Sequence, residues 1–248
     1  MLIQLVGKVW LETRSRFFWG ACLVLTAVGY IVLISPRAIP FIEAEAQKHV
    51  SFPLYLVADL YNATLLVVWT LLAVLLALGG LRQEFASGRP AFSLSLPVRR
   101  RTWLLVQTLV SFCELIVLGF LPAFVIPILA HLVGQEFSPM QSAEHAIVLV
   151  IPGLVFAALT VFLSHIVGSE LPTAAGAFCA IGAFLLAVKT IRAFDAFDLF
   201  DTMSGVDLID QRTFLLHGSL PWGTFAVTTL ILLSFIGLSM WAIERLDF

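Results

Sequence analysis

The sequence predicts an all-α membrane protein with six transmembrane helices, and three observations carry that expectation. Of its 248 residues, 60% are hydrophobic and only 12% are charged, about half the charge of an average soluble domain. Mean hydropathy is +1.01. The apolar residues gather into six runs of roughly 20, the length that crosses about 30 Å of hydrocarbon. A long polar interruption, Arg82–Trp103 (RQEFASGRPAFSLSLPVRRRTW), separates the second run from the third.

Taken in order, residues 1–16 come before any span. Leu2, Leu5, Val6, Val9 and Trp10 repeat at the spacing of one helical face, with Gln4, Lys8 and Glu12 on another side. This pattern suits an amphipathic helix lying in the membrane interface; a plain lead-in to the first span is the alternative. The first span is expected over 17–34 and holds no charged residue, followed by a polar loop over 35–53 with Pro36, Pro40, Glu43, Glu45 and Lys48. The second span is expected over 60–81. Residues 82–103 can then fold as a short helix, a turn broken by Gly88 and Pro90, and a basic clamp of Arg99, Arg100 and Arg101. The third span, 104–132, carries Glu114, Pro122 and Pro127; the fourth, 147–167, has Pro152 near its start. A short turn leads to the fifth span over 171–188. A long polar loop occupies 189–221, and the sixth span covers 223–243. The chain reads as a single transmembrane domain over 1–248.

No basic stretch followed by a cleavable apolar core opens the sequence, so the first span is expected to remain as an anchor. Basic residues set the orientation. With the N-terminus inside, cytoplasmic segments hold Lys8, Arg14, Arg16, Arg82, Arg89, Arg99, Arg100, Arg101 and Arg245. The opposite side holds Arg37, Lys48, Lys189, Arg192 and Arg212. Both termini are therefore expected inside. A net charge of −2 gives no bulk basic signal for nucleic acid. Cys22, Cys113 and Cys179 fall in apolar runs without metal-ligand spacing and read as small core residues.

Glu114 is the acidic residue deepest within an apolar run. Ionisable groups in a membrane face a cavity, a partner or the bundle interior, so Glu114 with Pro122 and Pro127 is a candidate pathway wall; a glutamate hydrogen-bonded between helices is the alternative. The loop over 189–221 holds a threefold repeat ending in Phe194-Asp195, Phe197-Asp198 and Phe200-Asp201. On a helix this gives a phenylalanine stripe beside an aspartate stripe, suited to dipping into the outer interface with its carboxylates in water. A calcium site is the other reading of the three aspartates, but the glycine and spacing of a calcium loop are missing. His131, Glu136, Glu144, His145, Ser164, His165, Ser169 and Glu170 are expected in solvated or capping roles, because H-E-x-x-H and G-x-S-x-G are absent. No G-x-x-x-x-G-K-[ST] occurs, so the chain supplies no nucleotide-binding loop of this type.

These residues resemble the permease subunits of type V ABC exporters, the bacterial six-span class with a separate ATPase. Members carry a glutamate after the second span, a glycine a few residues on, and a leucine-rich stretch ending in Leu-Pro and basic residues. Here these are Glu84, Gly88, Leu94, Leu96-Pro97 and Arg99 to Arg101, and a charged tail of Glu244, Arg245, Asp247 and Phe248 follows the last span. Arg89-Pro90 stands where members often have a small polar residue, and Gln107 where a basic one is frequent.

The resemblance implies a coupling helix within Arg82–Trp103 that docks on the ATPase, with Glu84, Gly88, Arg89, Leu96, Pro97, Arg99, Arg100 and Arg101 as the contact set. It also implies a second permease, either a copy or a homologue, and ATP and Mg held by the ATPase and not by this chain. Short re-entrant helices between spans five and six would close the outer mouth in the bacterial plasma membrane. The arginines alone are also explained by topology and anionic lipid; Glu84, Gly88 and Leu96-Pro97 in the same loop are not. The leading expectation is therefore a transport subunit with no catalysis of its own, moving a hydrophobic or amphipathic substrate. An ion-coupled secondary transporter is the alternative, and would call for several intramembrane charges and two related halves. An intramembrane enzyme would need paired catalytic groups at one depth, and a scaffold would differ only in its partners.

Overall fold

The computed structural model describes residues 2–47, 49–79, 99–167, 169–190, 198–210, 213–217 and 219–245, the side chains of Ala46 and Asp207 excepted. Six long helices dominate: α1 (Leu2–Ala46), α2 (Phe52–Ala77), α3 (Arg100–Leu132), α4 (Pro139–Val167), α5 (Glu170–Thr190) and, after the short α6 (Leu199–Ser204), α7 (Trp222–Glu244). Each of the six is long and apolar enough to cross a bilayer, which makes this a multi-pass membrane protein. The end of the bundle where α1 begins is called the near end here, and the opposite one the far end.

Two expectations about α1 are corrected. No break separates an interfacial helix over 1–16 from a span over 17–34, and the polar loop expected over 35–53 is helical as far as Ala46. At the near end no proline interrupts the chain, and Lys8 pairs with Glu12 one turn on at 3.6 Å. The apolar face of this first stretch meets protein: Leu5 and Val9 are buried with Trp103, Leu104, Val110 and Ile243. At the far end Pro36 and Pro40 lie inside the helix. A proline cannot donate to the carbonyl four residues back; for Pro36 that carbonyl is Val32, and the Ser35 hydroxyl bonds it at 2.7 Å. Side-chain donors of this kind let a membrane helix carry proline.

α2 starts eight residues before the expected span. Ser51 caps it, its hydroxyl accepting from Leu54 N–H at 3.4 Å, with Pro53 in the first turn, a favoured helix start. Over Leu56–Leu65 the helix is wound as a π-helix, a form that is rare and usually a single turn. Below it, Leu66–Ala77 is α-helical, and Leu78 leaves in an extended conformation.

α4 is the pillar of the bundle. It packs against α2, α3, α5, α6 and α7, and 67% of its most apolar window is buried, against 22% for α5 and 17% for α7. Small residues bring helices close around Trp69 of α2. A Cβ on Gly153 of α4 would fall 2.0 Å from Trp69 Nε1, and one on Gly119 of α3 would fall 2.8 Å from its ring. Neither position tolerates a side chain without movement.

Beyond α5, the described α6 packs against α4. Asp198 caps α6 by accepting from Phe200 and Asp201 N–H at 2.9 and 3.1 Å, and Gly205, at φ 69°, ends it. The Phe200 ring lies 5.2 Å from that of Phe156. The Gln141 amide holds Leu216 on both sides, donating to its carbonyl at 3.1 Å and accepting from its N–H at 2.8 Å. Among the phenylalanines expected to form an interfacial stripe, Phe200 is therefore core, while Phe194 and Phe197 lie outside the described residues. Cys22, Cys113 and Cys179 are also corrected: all three are exposed on the outside of the bundle.

Candidate functional site

The near end of the bundle carries a cluster of polar side chains around the C-terminus of α2. The last carbonyls of a helix have no partner within it, and here neighbouring helices supply donors. Arg16 of α1 donates to the Leu78 carbonyl at 2.9 Å and to that of Leu75 at 3.4 Å. Ser111 of α3 donates to the Leu76 carbonyl at 2.9 Å. Gly79 follows at φ 140°, and a Cβ there would stand 2.6 Å from Gln107 Nε2. A positive φ and the absence of space both favour glycine at this corner.

Arg16 reaches further. Its second guanidinium nitrogen pairs with Glu170, at the start of α5, at 2.5 Å. One side chain thus ties α1, the exit of α2 and the entry of α5 together. A turn earlier on α1, the Thr13 hydroxyl donates to Glu114 Oε1 and also approaches the Val9 carbonyl at 3.2 Å. Glu114 is 4% exposed and its Oε2 has no hydrogen-bond partner. Arg101 pairs with Glu244, joining α3 to α7, and Arg245 lies 4.1 Å over the Trp241 ring.

The predicted site residues divide accordingly. Arg99, Arg100 and Arg101 stand exposed at the entry to α3, with Arg99 in the N-cap position. Glu84, Gly88, Arg89, Leu96 and Pro97 lie outside the described residues. Glu114 sits in the α1–α3 seam beside Thr13, and the buried Pro122 and half-buried Pro127 lie within an uninterrupted α3. Asp195 is outside the described residues; Asp198 is a helix cap and Asp201 is exposed. Among the described residues no three acidic, histidine or cysteine side chains gather as a metal site would require.

Two residues differ from expectation. His145 and His165 were expected to be solvated or capping and are 2% and 1% exposed, with His165 Nδ1 against the Val161 carbonyl at 2.7 Å. Glu170 is the partner of Arg16. No local motif marks the Arg16–Glu170 pair, because it joins helices far apart in sequence.

A second feature is a cavity of about 770 Å³ between α4, α5 and α7. Phe156, Ile181, Phe184, Val227, Ile231 and Phe235 form much of its apolar wall. Pockets for drug-sized ligands fall in this size range. Its wall comes from helices other than α3, which carries Glu114.

Comparison with protein-family models, with curated proteins and with solved structures found no match to this chain.

Proposed function

We propose that this chain is the membrane-spanning permease subunit of an ATP-driven ABC transporter working as an exporter, with ATP and Mg bound by a separate ATPase. The near end is then cytoplasmic, both termini lie inside, and the membrane is the bacterial plasma membrane. The observation that carries the reading is how the described residues on either side of 80–98 are tied to the bundle. On one side Arg16 donates to the Leu78 carbonyl and Ser111 to that of Leu76; on the other, Arg99 leads straight into two further arginines and α3. A partner pressing on a segment tied in this way displaces α1 and α5 as well, because Arg16 joins them. Such a rigid connection is what coupling between a soluble motor and a bundle with two arrangements requires.

The cavity between α4, α5 and α7 supports a hydrophobic or amphipathic substrate, since its wall offers dispersion contacts and little else. A second permease, identical or homologous, completes the assembly in this reading. The alternative, an ion-coupled secondary transporter acting without an ATPase, rests on Glu114 and its unpartnered oxygen.

Purification from native membranes in mild detergent, followed by mass spectrometry, separates the two. Recovery of an ABC ATPase in equal amount, lost when Glu84 and Arg99, Arg100 and Arg101 are replaced together while the protein still inserts, supports the exporter. Repeated recovery without an ATPase, under conditions that keep other membrane complexes whole, overturns it.

A further inference from the structure

The cavity between α4, α5 and α7 is a cleft open to the outside of the bundle. α5 and α7 each pack on α4 but not closely on each other, and both are thinly covered. Val227 of α7 lines the cavity and is 39% exposed, whereas Phe156 on its α4 floor is 2% exposed. No charged side chain lines it.

Two tryptophans set the depth of this cleft in the bilayer. Trp222 and Trp241 of α7 are both exposed, and tryptophan at the two ends of a span marks the two membrane interfaces. Their separation along the helix is about 28 Å, close to the roughly 30 Å of bilayer hydrocarbon. On α7 the cavity wall begins at Gly223, beside Trp222, and ends at Phe235, about 18 Å farther in. A lipid tail crosses one leaflet, about 15 Å or half of that hydrocarbon. The hydroxyl-bearing residues of the wall, Thr224 and Thr228, lie toward Trp222, and Ile231 and Phe235 lie inward of them. Lys189, exposed in the last turn of α5, stands about 7 Å beyond Phe184 toward the same surface. The cleft is therefore about as long as one lipid tail, apolar at its inner end, with an ammonium group on the surface side.

We propose that the cleft holds one acyl tail of a phospholipid from the leaflet at the far end, with the lipid phosphate beside Lys189. Moving a tail from bilayer to protein gains nothing from the hydrophobic effect, because both surroundings are apolar. Dispersion contacts with Phe156, Phe184 and Phe235 and a charge-assisted bond from the ammonium to the phosphate hold it instead. The inference rests on the reading of this cavity as a site for a hydrophobic or amphipathic molecule and narrows it to a lipid. It needs a chain that crosses a bilayer and no ATPase, so recovery of an ATPase and occupation of the cleft can each fail without the other.

The test uses the full chain in lipid nanodiscs containing a phosphatidylglycerol with a diazirine midway along one tail. After illumination, peptide mass spectrometry should find adducts on Val155, Phe156 or Leu159 of α4, the floor that lipid can touch only from within the cleft. Adducts are also expected on Leu230, which is exposed on α7 and meets the surrounding lipid. Ala180→Trp and Val227→Trp narrow the cleft from α5 and α7. Each should lower the α4 adducts, and the two together should abolish them, while labelling of Leu230 persists and shows that the variants remain in the bilayer. Lys189→Glu should lower the α4 adducts as well, by repelling the phosphate. The proposal is overturned if the unaltered chain carries no adducts on α4, as when a helix of a second copy fills the cleft. It is equally overturned if the paired tryptophans, or Lys189→Glu, leave the α4 adducts unchanged.

Discussion

Glu114 shows how one residue's meaning changes between sequence and structure. In the sequence it is an acid alone in an apolar run, and two readings stand side by side. The structure places it against Thr13 of a different helix, and no property of residues 104–132 could announce that contact. The Thr13 hydroxyl donates to one carboxyl oxygen and the other has no partner, so Thr13→Val leaves a buried carboxyl with neither oxygen bonded. Such a loss destabilises by about 1–3 kcal/mol, and thermal unfolding in detergent should show it. A Tm unchanged by Thr13→Val would remove Thr13 from any supporting role. Glycines 119 and 153 carry a sharper expectation. Gly153→Ala drives a methyl group into the Trp69 indole, and overpacking of this kind costs about 1–3 kcal/mol. Trp69→Leu in the same chain should restore part of that loss. If Gly153→Ala is neutral on its own, the wedge at Trp69 is not tight.

At the scale of elements, six apolar stretches were legible because each binds its own backbone internally and repeats a simple composition. Their ends were less so. Residues 35–46 look like a loop because of Pro36, Pro40 and their charged neighbours, yet the Ser35 hydroxyl takes over the Val32 carbonyl and α1 continues. The π-helical turns of α2 were not legible at all, since nothing in the composition of Leu56–Leu65 distinguishes π from α winding. The ties between elements also escaped the sequence, with Arg16 the clearest example. Its pair with Glu170 is partly exposed, at 33% and 46% of the two side chains, so Glu170→Gln should cost less than about 1 kcal/mol. Arg16→Ala should cost more than Glu170→Gln, because it also strips donors from the Leu75 and Leu78 carbonyls. Equal Tm values for the two variants would mean that the ion pair, and not the carbonyl bonds, is what Arg16 contributes.

For the molecule as a whole, the division between buried α4 and thinly covered α5 and α7 defines inside and outside. Single-sequence reading reached the membrane class and the number of spans through composition, but not this ranking, because all six helices are about equally apolar. The cysteines illustrate the cost. An apolar neighbourhood suggested a core position, whereas lipid is as apolar as a protein core and the three thiols face outward. Replacing Cys22, Cys113 or Cys179 with leucine should therefore leave Tm nearly unchanged, since an outward-facing position has room for a larger side chain. A loss of about 1–3 kcal/mol, as overpacking of a core site would give, would mean that these faces are covered.

The unbroken α1 has one further implication. Its 45 residues amount to about 67 Å at the α-helical rise, more than twice the roughly 30 Å of hydrocarbon in a bilayer. Even strongly tilted, such a helix extends beyond the hydrocarbon it crosses. A displacement at one end of α1 is therefore carried to the other along one continuous helix, without passing through a loop.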